Sequence, residues 1–144
     1  MKFIVKQIQY NSDNYHESVS LRDKILRKPL GLSFTQEFLE KEVDDIHLAV
    51  FLDEKIVGCL ILTPLVNEQI QIRQVAVDSS LQKSGVGRLL VETSEGLAKE
   101  LGFKELILHA RETAIPFYLK LNYEIYGEPY TEVSIPHRNM KKAL

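Results

Sequence analysis

The segment Gln74-Val75-Ala76-Val77-Asp78-Ser79-Ser80-Leu81-Gln82-Lys83-Ser84-Gly85-Val86-Gly87-Arg88 reads, in order, as strand, loop, paired glycines and helix. That order constrains the fold more than any other stretch. A helix start leaves backbone N–H groups without partners and carries a partial positive charge, and glycine there lets an anion reach the backbone without meeting a Cβ. Lys83 and Arg88 flank the glycines, and Gln82 and Ser84 can add side-chain hydrogen bonds. A pyrophosphate suits this arrangement, and a plain tight turn is the other use of two glycines at a helix start. Two nucleotide motifs are excluded. A Walker loop needs Gly-x-x-x-x-Gly-Lys-Ser/Thr, and a dinucleotide fingerprint needs a third glycine where Leu90 stands.

Around this segment the hydrophobic period alternates between strand and helix. Phe3 to Gln9 reads as a strand, and Asn11-Ser12-Asp13 caps a helix running towards Arg27. After Pro29 and Gly31, Ser33 or Thr35 caps a second helix from Gln36 to about Val43. His47 to Leu52, Ile56 to Thr63 and Gln69 to Val77 form three antiparallel strands joined by turns at Asp53-Glu54-Lys55 and Asn67-Glu68. From Gly85 the period becomes helical, with Val86, Leu89, Leu90, Leu97 and Leu101 on one face and Gly102 placed to end it. Phe103 to Ala110 is a strand, a short helix runs from about Thr113 to Leu121, and strands near Tyr123 to Tyr130 and Pro136 to Lys142 close the chain. The expected class is α/β or α+β, a mixed sheet flanked by helices.

A length of 144 residues predicts one domain over 1–144. The 18 basic and 20 acidic residues are interspersed and leave a net charge of −2, so no basic stripe marks a nucleic-acid partner. No apolar run approaches the roughly 18 residues of a membrane span, and the N-terminus carries no leader-like apolar region, so a cytoplasmic location is expected. Cys59, the single cysteine, lies in the strand-like run Ile56-Val57-Gly58-Cys59-Leu60-Ile61-Leu62 and reads as a small buried apolar side chain. Its lone presence and the absence of His-x-x-x-His or Cys-x-x-Cys spacing imply no metal. No Gly-x-Ser-x-Gly elbow is present, so a serine nucleophile system is not supported.

Gln82-Lys83-Ser84-Gly85-Val86-Gly87 resembles the Gln/Arg-x-x-Gly-x-Gly/Ala pyrophosphate loop of the GNAT superfamily of acyltransferases. Ala114-Ile115-Pro116-Phe117-Tyr118-Leu119-Lys120-Leu121-Asn122-Tyr123 is similar to the family's Ala-x-x-Phe-Tyr-x-x-Leu-Gly-Tyr/Phe element, with Asn122 where glycine is usual. Arg111 stands in the neighbourhood where many members carry an asparagine near the coenzyme. The tail from Glu132 to Met140 and the stretch from Leu26 to Leu32 resemble a bacterial subgroup of members without known acceptors.

The resemblance covers nearly the whole chain and implies a sheet of six to seven strands with about four helices, splayed between the fourth and fifth strands. It implies acetyl transfer from acetyl-coenzyme A to a primary amine, by direct attack in a ternary complex. Pantetheine would pair with the backbone of Val75, Ala76 and Val77, and Gln82, Lys83, Ser84, Gly85, Val86, Gly87 and Arg88 would hold the pyrophosphate. Tyr118 matches the tyrosine that hydrogen-bonds the coenzyme sulfur and is the expected catalytic residue. Arg27, Arg111, Glu132 and His137 are candidates to line the acceptor pocket, whose general base the sequence does not single out. His16, His47 and His109 read as ordinary structural or surface histidines. A non-catalytic acyl-coenzyme A sensor is the rival reading, and a homodimer is compatible with either.

Overall fold

The computed structural model describes residues 2–144. Its elements run β1 (Ile4–Ile8), α1 (Asp13–Arg22), α2 (Gln36–Glu40), β2 (Ile46–Leu52), β3 (Lys55–Pro64), β4 (Gln69–Val77), α3 (Val86–Glu100), β5 (Glu105–Arg111), α4 (Ile115–Lys120), β6 (Glu124–Glu132) and β7 (Ile135–Ala143). The seven strands are ordered β1-β2-β3-β4-β5-β7-β6. The sheet is mixed, because β4 and β5 run parallel while the other described pairings are antiparallel.

Two compact units make up the chain, one of residues 1–63 with 74–94 and the other of residues 64–73 with 95–144. In the first, β1 pairs with β2 from Ile4↔Phe51 to Ile8↔His47, and β2 pairs with β3 from Ile46↔Leu62 to Leu52↔Lys55. The β2–β3 turn has only two residues, Asp53 and Glu54, both left-handed at φ 50° and 67°, the combination that matches strand twist in a tight hairpin. Ser12 caps α1 by accepting from the Tyr15 N–H, and the helical path continues past Arg22 as a π-helical stretch over Asp23–Arg27. Thr35 caps α2 by accepting from the Phe38 N–H, but α2 stops at Glu40 rather than Val43, so that Glu42 turns inward and Val43 out. Ile8, Leu21, Ala49, Phe51, Ile56, Cys59 and Ala76 close the core of this unit, with Ile25 and Leu26 packed on it.

Cys59 is fully buried there, and desolvation pushes its thiol up to about 12, with Arg22 opposing and Glu42 adding to the shift. A raised thiol pKa keeps the neutral form below that value, and the thiolate is the reactive species. The native protein should therefore resist alkylation by iodoacetamide at pH 8 and react only after denaturation, which mass spectrometry of the intact chain reads directly. Modification of the folded chain would overturn the structural assignment of this residue.

In the second unit, β4 pairs in parallel with β5 over Gln69↔Glu105 to Ile72↔Leu108. β5 then pairs with β7 from Glu105↔Ala143 to Arg111↔His137, and β7 with β6 from Glu124↔Lys141 to Glu132↔Ile135. Leu106, Leu108, Ala110 and Met140 are buried on one face of these strands. The same side meets the C-terminal turns of α3, where Glu95 accepts from the Tyr123 hydroxyl at 2.8 Å and from Lys142 Nζ at 3.0 Å. Gly102 ends α3 in the left-handed region at φ 92°, and the Phe103 N–H reaches back to the Ala98 carbonyl. Asn122 does the same for α4 at φ 71°, with the Tyr123 N–H on the Tyr118 carbonyl, as an asparagine can in that conformation.

Candidate active site

The loop that follows β4 is held by short-range hydrogen bonds. The Asp78 N–H donates to the Val57 carbonyl at 2.8 Å, anchoring the end of β4 to β3. The Asp78 carboxylate accepts from the Ser80 N–H at 3.0 Å and the Ser80 hydroxyl at 2.7 Å, and these bonds hold its pKa below the usual carboxylate value. Leu81 N–H then bonds Asp78 O, and Ser84 N–H bonds Leu81 O, so residues 78–84 form two successive tight turns. Lys83 at φ 68° and Gly85 at φ 95° turn the chain into α3.

At Gly85 nothing lies within 4 Å of where a Cβ would project, so the backbone there is open. Gln82, Lys83, Ser84 and Gly85 are exposed, and Val86 is buried beneath them. The Ser84 hydroxyl donates to the Leu81 carbonyl. Arg88 pairs through Nε with Glu92 at 3.2 Å on the exposed helix face. Such surface pairs contribute little and exchange readily, so the guanidinium can turn to another anion.

Gly58 sets where this helix lies. A Cβ on Gly58 would sit 2.7 Å from Val86 Cγ1 and 3.2 Å from Leu90 Cδ1, so β3 and the first turns of α3 approach at a distance only glycine allows. Nothing in the run from Ile56 to Leu62 distinguishes this role from that of any strand glycine. In β4, Gln74 takes a left-handed φ of 56°, two residues beyond Ile72, where the described β5 register stops. Val75 and Val77 are half-buried and Ala76 is buried. A pocket of about 350 Å³ opens between the β2–β3 turn and the loop that follows β4, lined by Leu52, Asp53, Lys55, Val57, Asp78, Ser80 and Leu81.

Tyr118 lies on α4, which Pro116 helps to start. Its side chain is only 6% exposed and meets the rings of Phe117 at 4.9 Å and Tyr123 at 5.7 Å. Burial raises its phenol pKa well above the ordinary value. The group therefore stays protonated at physiological pH and can act only as a hydrogen-bond donor or neutral acceptor.

Three of the four acceptor-pocket candidates come together in the second unit. Arg111 is opposite His137 in the β5–β7 register, and His137 is opposite Tyr130 in the β7–β6 register. Glu132 lies 3.6 Å from His137 Nε2 and 3.3 Å from His109 Nδ1. Half-burial lowers the Arg111 pKa, and the Glu132 charge opposes that shift. Arg27 belongs to the first unit, where its guanidinium lies 4.7 Å over Phe34 and 5.7 Å over Phe38. His109 and Tyr130 join the cluster without any sequence signal, because only strand register brings them there. His47 bonds the Glu42 carbonyl through Nε2 at 2.9 Å, a structural contact.

Among the described residues no group of three or more His, Cys, Asp or Glu side chains is placed to hold a metal ion. No helix among them is long and apolar enough to cross a membrane.

A family model described as Acetyltransferase (GNAT) family matches residues 12–123, from the α1 cap through the Tyr118 helix. The chain belongs to the GNAT family of acetyltransferases. YyaT of Bacillus subtilis (strain 168), an uncharacterised protein, is 27% identical over 145 residues, covering 97% of this chain and 95% of YyaT. An acyl-CoA N-acyltransferase of Pseudomonas aeruginosa shares the fold with a TM-score of 0.84 at 21% identity, over 99% of this chain and 100% of that one. An aminoglycoside 6′-N-acetyltransferase, solved in complex with coenzyme A, has a TM-score of 0.81 at 19% identity, over 97% of this chain and 96% of that one. The GNAT fold thus accounts for the seven-stranded mixed sheet, the parallel β4–β5 pair and the four α-helices.

Proposed function

We propose that this GNAT protein moves an acetyl group from acetyl-coenzyme A to a primary amine of a small molecule or peptide, by direct attack in a ternary complex. The observation that carries the reading is the open, exposed helix start at Gly85, set at the end of a strand whose β5 pairing covers only residues 69–72 among those described. Backbone N–H groups of Gly85, Val86 and Gly87 would hold the pyrophosphate, with Gln82, Lys83, Ser84 and Arg88 around it. Backbone groups of Val75, Ala76 and Val77 would pair with pantetheine. A preorganised N–H there would stabilise the oxyanion of the tetrahedral intermediate, the kind of donor whose loss costs about 10² to 10³-fold elsewhere.

Tyr118 would donate to the departing thiolate, the role that suits a phenol kept protonated by burial. Arg27, Arg111, Glu132 and His137 would line the acceptor side. The family match at 12–123 alternates between the two compact units, which supports taking 1–144 as one catalytic domain.

The test is calorimetric titration of the chain with acetyl-coenzyme A and with ADP, repeated on a Gly85→Asp, Gly87→Asp variant. Carboxylates at the open backbone would repel and block the pyrophosphate, so affinity for both ligands should fall by at least about 100-fold, the effect of losing roughly 2.7 kcal/mol. Because Gly85 has a left-handed φ, a thermal melt of the variant is recorded alongside, to separate site loss from unfolding. A wild-type chain that binds no acetyl-coenzyme A would sink the reading.

A further inference from the structure

We propose that the acceptor amine also carries a carboxylate, and that Arg27 reads this group as the specificity-determining residue of the acceptor side. The inference rests on the transferase reading above and names its substrate class.

Every residue involved belongs to the first compact unit, which also holds the glycine turn and the segment from Val75 to Val77. Two observations set the stretch Asp23–Arg27 beside the end of β4. Ile25 and Leu26 pack on the core cluster that contains Ala76, the middle residue of the proposed pantetheine segment. Lys24 lies near enough to Asp78, the residue after β4, for its charge to lower that carboxylate's pKa, in addition to the larger effect of the Ser80 hydrogen bonds. Arg27 follows Leu26 directly, one residue from a side chain packed on the Ala76 cluster.

The backbone around Arg27 is fixed from both sides. The helical path of α1 continues into a π-helical turn over Asp23–Arg27, closed by the Lys28 N–H on the Asp23 carbonyl. Single π turns of this kind recur at functional sites. Beyond it, the Leu32 N–H returns to the Arg27 carbonyl at 3.0 Å and the Gly31 N–H to the Lys28 carbonyl at 2.9 Å. Pro29 stiffens the short turn between them.

Aromatic rings then fix the side chain. The Arg27 guanidinium lies 4.7 Å over Phe34 and 5.7 Å over Phe38, and these two rings are 5.4 Å apart. Phe34 is held in turn by the buried Arg22, whose guanidinium lies 4.6 Å over the same ring and is anchored by both oxygens of Glu42. A guanidinium already laid on ring faces has less rotamer freedom to lose when a ligand arrives. Its N–H groups lie in its own plane, around the rim, where a carboxylate docks through two parallel hydrogen bonds. Arg27, Phe34 and Phe38 are all half-buried, so the surface they form is partly sheltered from water.

Charge selects in the same direction. Between Asp23 and Lys28 the cations Lys24, Arg27 and Lys28 outnumber the anion Asp23, while Arg22 is balanced by Glu42. Such a segment repels a plain alkylammonium and repels a polyamine more strongly. A carboxylate on the same molecule turns the repulsion into attraction. A neighbouring cation also disfavours the protonated form of an amine, which must lose its proton before attack.

Two measurements test this. Primary alkylamines are compared as acceptors with ω-amino carboxylates of the same chain length, at saturating acetyl-coenzyme A. At the spacer length that reaches from Arg27 to the thioester, the carboxylate should raise kcat/KM by about 10 to 10²-fold, the worth of a charge-assisted hydrogen bond, and the gain should lie mainly in KM. Arg27→Lys keeps the charge without the fork and should retain part of the preference, whereas Arg27→Gln should erase it. The ratio is taken within each variant, so a general loss of folding cancels. A wild type with no preference at any spacer length, or a preference that survives Arg27→Gln, would overturn the proposal. The second measurement needs no turnover. The Nε–H resonance of Arg27, identified by its absence from Arg27→Lys, is followed in the presence of coenzyme A as the protein is titrated with N-acetylated ω-amino carboxylates and with their primary amides. The carboxylates should shift it and the amides should not; equal responses, or no response to any carboxylate, would equally overturn the assignment. A chain that binds acetyl-coenzyme A but acetylates no amine counts against the transferase reading, and the resonance result then decides this one separately.

Discussion

Tyr118→Phe is expected to lower turnover by roughly 10 to 10³-fold, within the usual scale for acid–base groups, with little change in affinity for acetyl-coenzyme A. The substitution removes one oxygen and keeps the ring, so the packing against Phe117 and Tyr123 survives. What disappears is a donor. Desolvation raises the phenol pKa, and the sign of that shift matters: the neutral phenol is favoured in the folded state, and any stability it confers is present below the ordinary phenol pKa and fades only as pH rises above it. No alkaline limb below about pH 10, the unperturbed phenol value, should therefore come from this residue. It also follows that Tyr118 cannot serve as the base. A hydrogen bond that strengthens as charge develops on sulfur lowers the barrier without complete proton transfer, and its loss should appear in kcat rather than in binding. Steady-state kinetics at saturating acetyl-coenzyme A, paired with calorimetry, check the split. Unchanged turnover would remove Tyr118 from the mechanism.

Glu42→Gln should destabilise the fold by about 3 to 5 kcal/mol, the cost of breaking a buried ion pair by removing one partner. Arg22 and Glu42 are each 1% exposed and meet in a two-pronged pair at 2.8 and 2.6 Å. The Tyr15 hydroxyl donates to the same carboxylate at 2.9 Å, and the Arg22 guanidinium lies 4.6 Å over the Phe34 ring. With a neutral amide at position 42, the guanidinium stays buried without the carboxylate that pairs with it. For a chain of this length the loss corresponds to a fall of about 10 °C or more in Tm. The double change Arg22→Met, Glu42→Leu should recover much of it, because it removes both charges at once and leaves mainly the Tyr15 hydroxyl short of its acceptor. Urea melts of the three variants decide the matter, and a double variant no more stable than Glu42→Gln would contradict this account.

Local chemistry was readable from the residue order, and long-range partnership was not. The glycine turn, the Ser12 and Thr35 caps, and the Gly102 and Asn122 stops each depend on residues within a few positions of one another. Their geometry follows from single conformational preferences. The Arg22–Glu42 pair spans twenty residues, and Glu42 in a polar stretch looks like any solvated carboxylate. The early end of α2 has the same origin: the helix stops at Glu40, and Glu42, just beyond its end, is buried against Arg22. His109 looked ordinary for a comparable reason. Its partner Glu132 is 23 residues away, and only the β5-β7-β6 order sets them on one face. Gln74 carries no mark of its left-handed φ, since glutamine is not a residue type that favours that conformation. Arg27, Arg111, Glu132 and His137 were candidates through resemblance alone, and the structure unites three of them while setting Arg27 against Phe34 and Phe38.

The two-residue turn at Val133 and Ser134 acts as a length gauge for descendants of this chain. Side chains alternate between faces along a strand, so a one-residue slip in the β6–β7 pairing would move the imidazole of His137 off the face it shares with Tyr130. Substitutions at Val133 leave that parity intact, and several would relieve its unfavourable φ. What the turn must keep is the β6–β7 register, and the identities of its two residues are free to change as long as that register holds.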